Sequence, residues 1–128
     1  MVDLHHHLLP GLDDGPPDLA TSLKMARAAA DDGITHVVCT PHANARYPFD
    51  AERNQGLLAE VRQTIADAGI RLILGSGCDF HLSYDNLADA KMHPRKYTIN
   101  NGDYLLIELP EFGLTCLVKD VYRDTPLG

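Results

Sequence analysis

The chain has 128 residues, 45% of them hydrophobic, which suits one ordinary domain with a packed core. Asp and Glu outnumber Lys and Arg by 18 to 11, a formal charge of -7, and no basic stripe is present, which argues against nucleic acid as the main partner and fits a site that gathers cations with carboxylates. No run of 18 apolar residues and no basic-then-apolar start occurs, so neither a membrane span nor a signal peptide is expected.

Met1 to His7 reads as a first strand. Side chains on a strand alternate between faces, so His5 and His7 share one face with Asp3 beside them, and His6 points away, toward the exterior or a core wall. Two imidazoles on one face at a strand end make a good pair of metal ligands. A purification-tag remnant is usually longer and sits outside the folded pattern; this run is embedded in it. Pro10 to Pro17 is a loop rich in Gly, Asp and Pro. Asp18 is the expected N-cap of a helix to about Asp32, with Leu19, Leu23, Ala26 and Ala30 on one face and Gly33 as its stop.

Thr35 to Thr40 reads as a second, buried strand, followed by a loop from Pro41 to Phe49 that opens on His42. A helix from Ala51 to Ala68 follows, with Leu58, Val61, Ile65 and Ala68 inward and Gly69 as its end. Arg71 to Leu74 reads as a third strand, broken by Gly75 and Gly77. Tyr84 to Lys91 reads as a short helix stopped before Pro94. Tyr97 to Asn100 and Tyr104 to Leu109 are expected to pair across Asn101-Gly102, a strong hairpin signal. Leu114 to Val118 is apolar but short, and Tyr122 to Gly128 reads as an unstructured end.

Strand, helix, strand, helix, strand points to βα units and a parallel sheet, whose chemistry gathers at the strand C-termini. The candidate ligands obey that rule. His5 and His7 close the first strand, His42 follows the second, Asp79 follows the third, and Glu108 sits near the end of the last. Random acids and histidines would fall on helix faces as well. His36 and His93 are assigned only surface or packing roles. Cys39, Cys78 and Cys116 are widely spaced and form no CxxC pair, so a zinc knuckle is not expected; reduced thiols in a cytoplasmic protein are the simplest account. Cys39 has no Cys-x5-Arg signature behind it.

The run Asp3-Leu4-His5-His6-His7-Leu8-Leu9-Pro10-Gly11-Leu12-Asp13-Asp14-Gly15 resembles the opening motif of the PHP (polymerase and histidinol phosphatase) superfamily. It is most similar to the bacterial tyrosine-phosphatase branch tied to capsule and exopolysaccharide synthesis, the CpsB/YwqE-like group. Ser22 to Ala30 with Gly33-Ile34-Thr35, then Thr40-Pro41-His42, then Tyr104 to Pro110 resemble the branch's later segments in the right order. The resemblance covers roughly residues 1 to 110 and leaves 111–128 as a divergent tail.

That resemblance implies the N-terminal portion of a distorted (β/α)7 barrel, an α/β fold of mainly parallel strands with flanking helices. It implies up to three divalent metals: His5 and His7 on one, Asp14 and His42 on a second, Asp79 bridging two, and Glu108 on the remaining ion. The branch usually carries Glu where Asp79 stands, one methylene longer; His81 is the substitute two residues on. His and carboxylate ligands suit Mn, Fe, Co or Zn better than Mg. Arg46 is placed to contact phosphate bidentately, or else is a solvated loop arginine; Tyr47 lines the substrate mouth, or only packs the loop.

The implied activity is metal-assisted hydrolysis of phosphotyrosine in proteins, with an autophosphorylated bacterial tyrosine kinase as the partner. Two alternatives stand beside it: a PHP phosphatase for a small phosphorylated metabolite such as histidinol phosphate, and a catalytically incomplete metal-binding fragment. Family members are about twice as long, and their later His-Pro motif and Asp-x-His pair are absent here, so the chain reads as truncated. An open sheet edge would then invite self-association.

Overall fold

The computed structural model describes residues 1–109 and 114–119. Among these, the chain alternates strands and helices: β1 (Val2–His6), α1 (Leu19–Asp31), β2 (His36–Cys39), β3 (His42–Ala43), α2 (Ala51–Asp67), β4 (Ile73–Ser76), β5 (Asp79–His81), α3 (Tyr84–Met92), β6 (Tyr104–Leu109) and β7 (Leu114–Lys119). One sheet has the order β1-β2-β4, all parallel. The other has the order β3-β5-β6-β7, parallel except for β7, which runs antiparallel along β6. No helix among the described residues is long and apolar enough to cross a membrane.

The helices start where short polar side chains can take their free N–H groups. Asp18 accepts from Thr21 N at 2.8 Å, Asp50 from Arg53 N at 3.1 Å, and Ser83 from Asn86 N at 3.2 Å. They end as the glycines predict: Gly33 and Gly69 take φ of +88° and +72°, a region that costs a side chain dearly. The inward faces of α1 and α2 pack on the first sheet through Ala26, Ala29, Leu58, Val61 and Ile65, with Val37, Cys39 and Leu74 opposite. The predicted inward residues Leu19, Leu23, Ala30 and Ala68 lie partly buried around that core. A second core joins Phe80, Cys78, Ala90, Tyr97, Leu105 and Ile107 under α3.

Three expectations are corrected. Asn101-Gly102 is not a hairpin turn: Ile99–Asn101 forms a 3-10 turn with φ of +52° at Asn100 and +54° at Asn101. Asn tolerates that region because its short polar side chain bonds locally, and Asn100 here accepts from Ser76 N at 2.9 Å. β6 therefore takes β5 and β7 as neighbours. Gly75 does not break the third strand but lies inside it, and a Cβ there would stand 2.8 Å from Asn100 Oδ1. Finally, β3 lies in the stretch read as a loop, and β5 in one assigned to no element. Proline has no N–H to give a ladder, so at Thr40-Pro41 the second strand breaks and resumes at His42, which pairs in register with Asp79.

The expected unstructured end, Tyr122 to Gly128, lies outside the described residues.

Candidate metal centre

The cluster forms where β1, β2 and β4 end, β3 and β5 begin and β6 ends. β1 and its exit deliver His5 and His7, β3 delivers His42, β5 delivers Asp79 and β6 delivers Glu108. The loop after β1 folds back with Asp13 and Asp14. Gly15 makes that return possible, since a Cβ at this position would lie 2.4 Å from His7 O. Three overlapping groups have ligand atoms within 4.8 Å of one another: His7, Asp13, Asp14 and His42; His5, His7 and Asp79; His42, Asp79 and Glu108. His7, His42 and Asp79 each belong to two groups.

Asp79 is the hub. Its side chain is 2% exposed, and its Oδ2 lies 3.2 Å from His5 Nε2, 3.6 Å from His7 Nε2 and 3.2 Å from His42 Nδ1. Its other oxygen, Oδ1, is buried with no hydrogen-bond partner among the described residues, and so is His42 Nδ1. An orphaned buried polar atom is costly. Two such atoms, both of metal-ligand type and both in the same cluster, fit a bound cation. His42 Nε2 bonds with Asp14 Oδ1 at 3.0 Å, while Nδ1 lies close to Asp79 without a hydrogen bond to it.

Asp13 was not foreseen. Its Oδ2 lies 3.3 Å from His7 Nδ1 and accepts from His42 N at 3.0 Å, while Oδ1 accepts from Gly15 N at 3.0 Å. Holding Nδ1 of His7 leaves Nε2 turned toward Asp79, the arrangement that orients metal-binding imidazoles. The detectable signal was the Asp-x-Gly spacing, where an Asp side chain bonds the N–H two residues on.

The electrostatics follow from this crowding. For His7, burial acts downward, but hydrogen bonds and charge from Asp13 and Asp79 outweigh it and push the imidazole up to about 10. For Asp13, burial acts upward, but His7 and the N–H groups of His42 and Gly15 outweigh it and bring the carboxyl down to about 2. Burial likewise raises Asp79, and the bonds from His7 and Glu108 with the charges of His42 and His5 prevail and lower it. Glu108 is pushed up by burial and by the Asp79 carboxylate. His6 lies in none of the three groups; it is half-buried and lowered by burial.

The rings form a continuous stack leading out of the cluster. His7 stacks on His42 at 4.4 Å, His42 on Tyr47 at 5.6 Å, and the Arg46 guanidinium lies 5.2 Å from the Tyr47 ring centre. His81 pairs in register with Glu108 but joins none of the three groups.

A mainly parallel α/β fold with a His/carboxylate cluster at its strand ends is the architecture of a metal-site protein. Within that class the chain belongs to the CpsB/CapC family of capsular polysaccharide synthesis, whose model matches residues 1–122. It is 31% identical over 128 residues to the tyrosine-protein phosphatase YwqE of Bacillus subtilis, covering 99% of this chain and 50% of that protein. It is also 31% identical over 111 residues to CapC of Staphylococcus aureus, covering 86% of this chain and 43% of that one. Among solved structures it superposes with a TM-score of 0.74 and 29% identity on a chain from the work on YwqE of Bacillus subtilis and CpsB of Streptococcus pneumoniae, described as unique metal-dependent tyrosine phosphatases; the match covers 84% of this chain and 43% of that one. The chain spans about half the length of the curated relatives it matches.

Proposed function

We propose that the chain is the N-terminal portion of a distorted (β/α)7 PHP barrel and serves metal-dependent hydrolysis of phosphotyrosine in proteins. The observation that carries this is the linked set of three ligand groups sharing His7, His42 and Asp79. In this reading His5 and His7 hold one ion, Asp14 and His42 a second, and Glu108 a third, with Asp79 between them. The donor set favours Mn, with Fe, Co or Zn as substitutes. Bound cations of this kind neutralise phosphoryl oxygens and acidify water for attack at phosphorus.

The chain's own groups supply positioning. Asp13 fixes the His7 tautomer and ties the His42 backbone into the same loop. Asp79 and Glu108 lie close enough to share a proton, which stays longest on Glu108 because burial and Asp79 raise it. Arg46, at the outer end of the ring stack, is the cation available to a phosphoryl group or its surroundings, and Tyr47 walls the entrance. Three free thiols support a cytoplasmic setting, and the partner is a phosphotyrosine protein such as a bacterial tyrosine kinase. Val2 and Ile73 expose 55% and 61% of their surface beside Leu4 on the first sheet, and β1 is an edge strand, which supports self-association over that face.

The test is phosphate release from a phosphotyrosine peptide and from p-nitrophenyl phosphate with added Mn²⁺, beside a His5→Ala/His7→Ala double variant. Metal-dependent turnover lost in the variant supports the reading. Metal uptake without turnover in the folded protein would reduce this chain to a metal-binding unit, and turnover of histidinol phosphate alone would move it to the small-metabolite branch.

A further inference from the structure

A second cavity, of about 300 Å³, lies between α2 and the segment after α3. That is the lower end of the size range for small-molecule sites. Cys39 and Pro41 line it, and they alternate along the chain with Thr40 and with His42 of the metal cluster, so the two sites fall on opposite faces of the broken second strand.

The informative residue is Asn54. The buried stripe of α2 is Asn54, Leu58, Val61 and Ile65, a helical spacing that calls for an apolar side chain at each position. Asn54 instead places an amide there, 7% exposed, on the cavity wall. That amide makes no side-chain hydrogen bond among the described residues and is open to the cavity rather than sealed in the core. The floor beneath it is apolar, formed by Cys39, Phe49 and Leu58. The Cys39 thiol is pushed by burial up to about 12, so it offers no nucleophile to an occupant. Lys96 lies at the wall but donates to Asp89 at 2.7 Å, and Glu52 stands on the same wall, so among the described residues no free cation awaits an anionic ligand there.

We propose that this cavity binds a single uncharged sugar ring. A pyranose sets ring C–H groups against an apolar floor and offers hydroxyls that both donate and accept, as the Asn54 amide does. The Ser76 hydroxyl on the same wall adds a second such partner. This inference does not depend on the phosphatase reading.

The experiment is an NMR titration of the metal-free chain with methyl α-glucopyranoside, methyl α-galactopyranoside and N-acetylglucosamine, following in parent and variant the backbone amides of Leu58, Ser76 and Gly77 on the cavity wall, with uridine as a planar-ring comparison. A saturable shift with at least one sugar, lost in Asn54→Leu and absent with uridine, is the expected result. Asn54→Leu completes the apolar stripe and is expected to melt no lower than the parent; Asn54→Ala replaces it should it not fold. The proposal is overturned if none of the three sugars gives a saturable shift, which would mean hydration only. It is equally overturned if the variant binds as the parent does, or if uridine binds, alone or as well as a sugar.

Discussion

Asp13→Ala separates a residue that orients ligands from one that merely packs. The carboxylate receives His42 N at 3.0 Å, Gly15 N at 3.0 Å and His7 Nδ1 at 3.3 Å. A hydrogen bond to a charged group contributes about 1.5–3 kcal/mol. The three share one carboxylate and do not add independently, so the expected loss of stability is roughly 2–3 kcal/mol. The larger signal is in metal binding. Removing the outer partner of a metal-binding imidazole costs ~10–100-fold in affinity, or about 1.4–2.8 kcal/mol. The assay is competition for Mn²⁺ against a chromophoric chelator, run beside urea unfolding. Asp18→Ala is the control: it removes the cap of α1, which bonds Thr21 N and touches none of the cluster, so it lowers stability and leaves Mn²⁺ affinity unchanged. Parent-like affinity in Asp13→Ala, or an equal loss in Asp18→Ala, would refute the reasoning.

Further outcomes follow from the same geometry. In metal-free protein the Asp13 contribution to stability is present above the ordinary carboxyl value of 3.8 and is lost as pH falls toward about 2. The His7 contribution is complete below 6.5 and is lost as pH rises through about 10. Urea midpoints across pH should therefore peak between these windows, and Asp13→Asn should flatten both limbs; unchanged limbs would contradict the pairing. Mn²⁺ affinity should climb as pH rises above 6.5, since an ion must displace the His7 proton, and a titration flat with pH would contradict this. Phe80→Ala should cost ~3–5 kcal/mol, because the ring is fully buried with Tyr97 edge-on at 5.0 Å; chemical denaturation measures it. Thiol labelling of the native protein should modify Cys116 first, since Cys39 and Cys78 are buried and their thiols raised, and a fast reaction of either would contradict the core.

Much of this arrangement was readable in the residues because the rules involved are local. Asp18 caps α1, Gly33 and Gly69 end α1 and α2, and Leu58, Val61 and Ile65 recur at helical spacing on the buried side of α2. His5 and His7 are one strand period apart, and the structure brings both to Asp79, along with His42 and Glu108 at neighbouring strand ends. What was not readable depends on distant partners. Asn101-Gly102 carries every local mark of a hairpin, yet Asn100 is claimed by Ser76, 24 residues earlier in the chain, and β6 by β5. β3 and β5 are two and three residues long and depend on partners far along the chain, β3 on β5 and β5 on β3 and β6. Asp13 and Asp14 are equivalent in sequence, and only the returning loop turns one toward His7 and the other toward His42 Nε2. Asn54 broke an otherwise apolar stripe, a mark that the hydrophobic residues around it concealed.

The most direct test of the central claim is anomalous diffraction at the manganese edge from crystals grown with Mn²⁺. Peaks are expected within coordination reach of His5, His7 and Asp79, of Asp14 and His42, and of Asp79 with Glu108. Peaks confined to other acidic residues, or none at this cluster under saturating Mn²⁺, would contradict it.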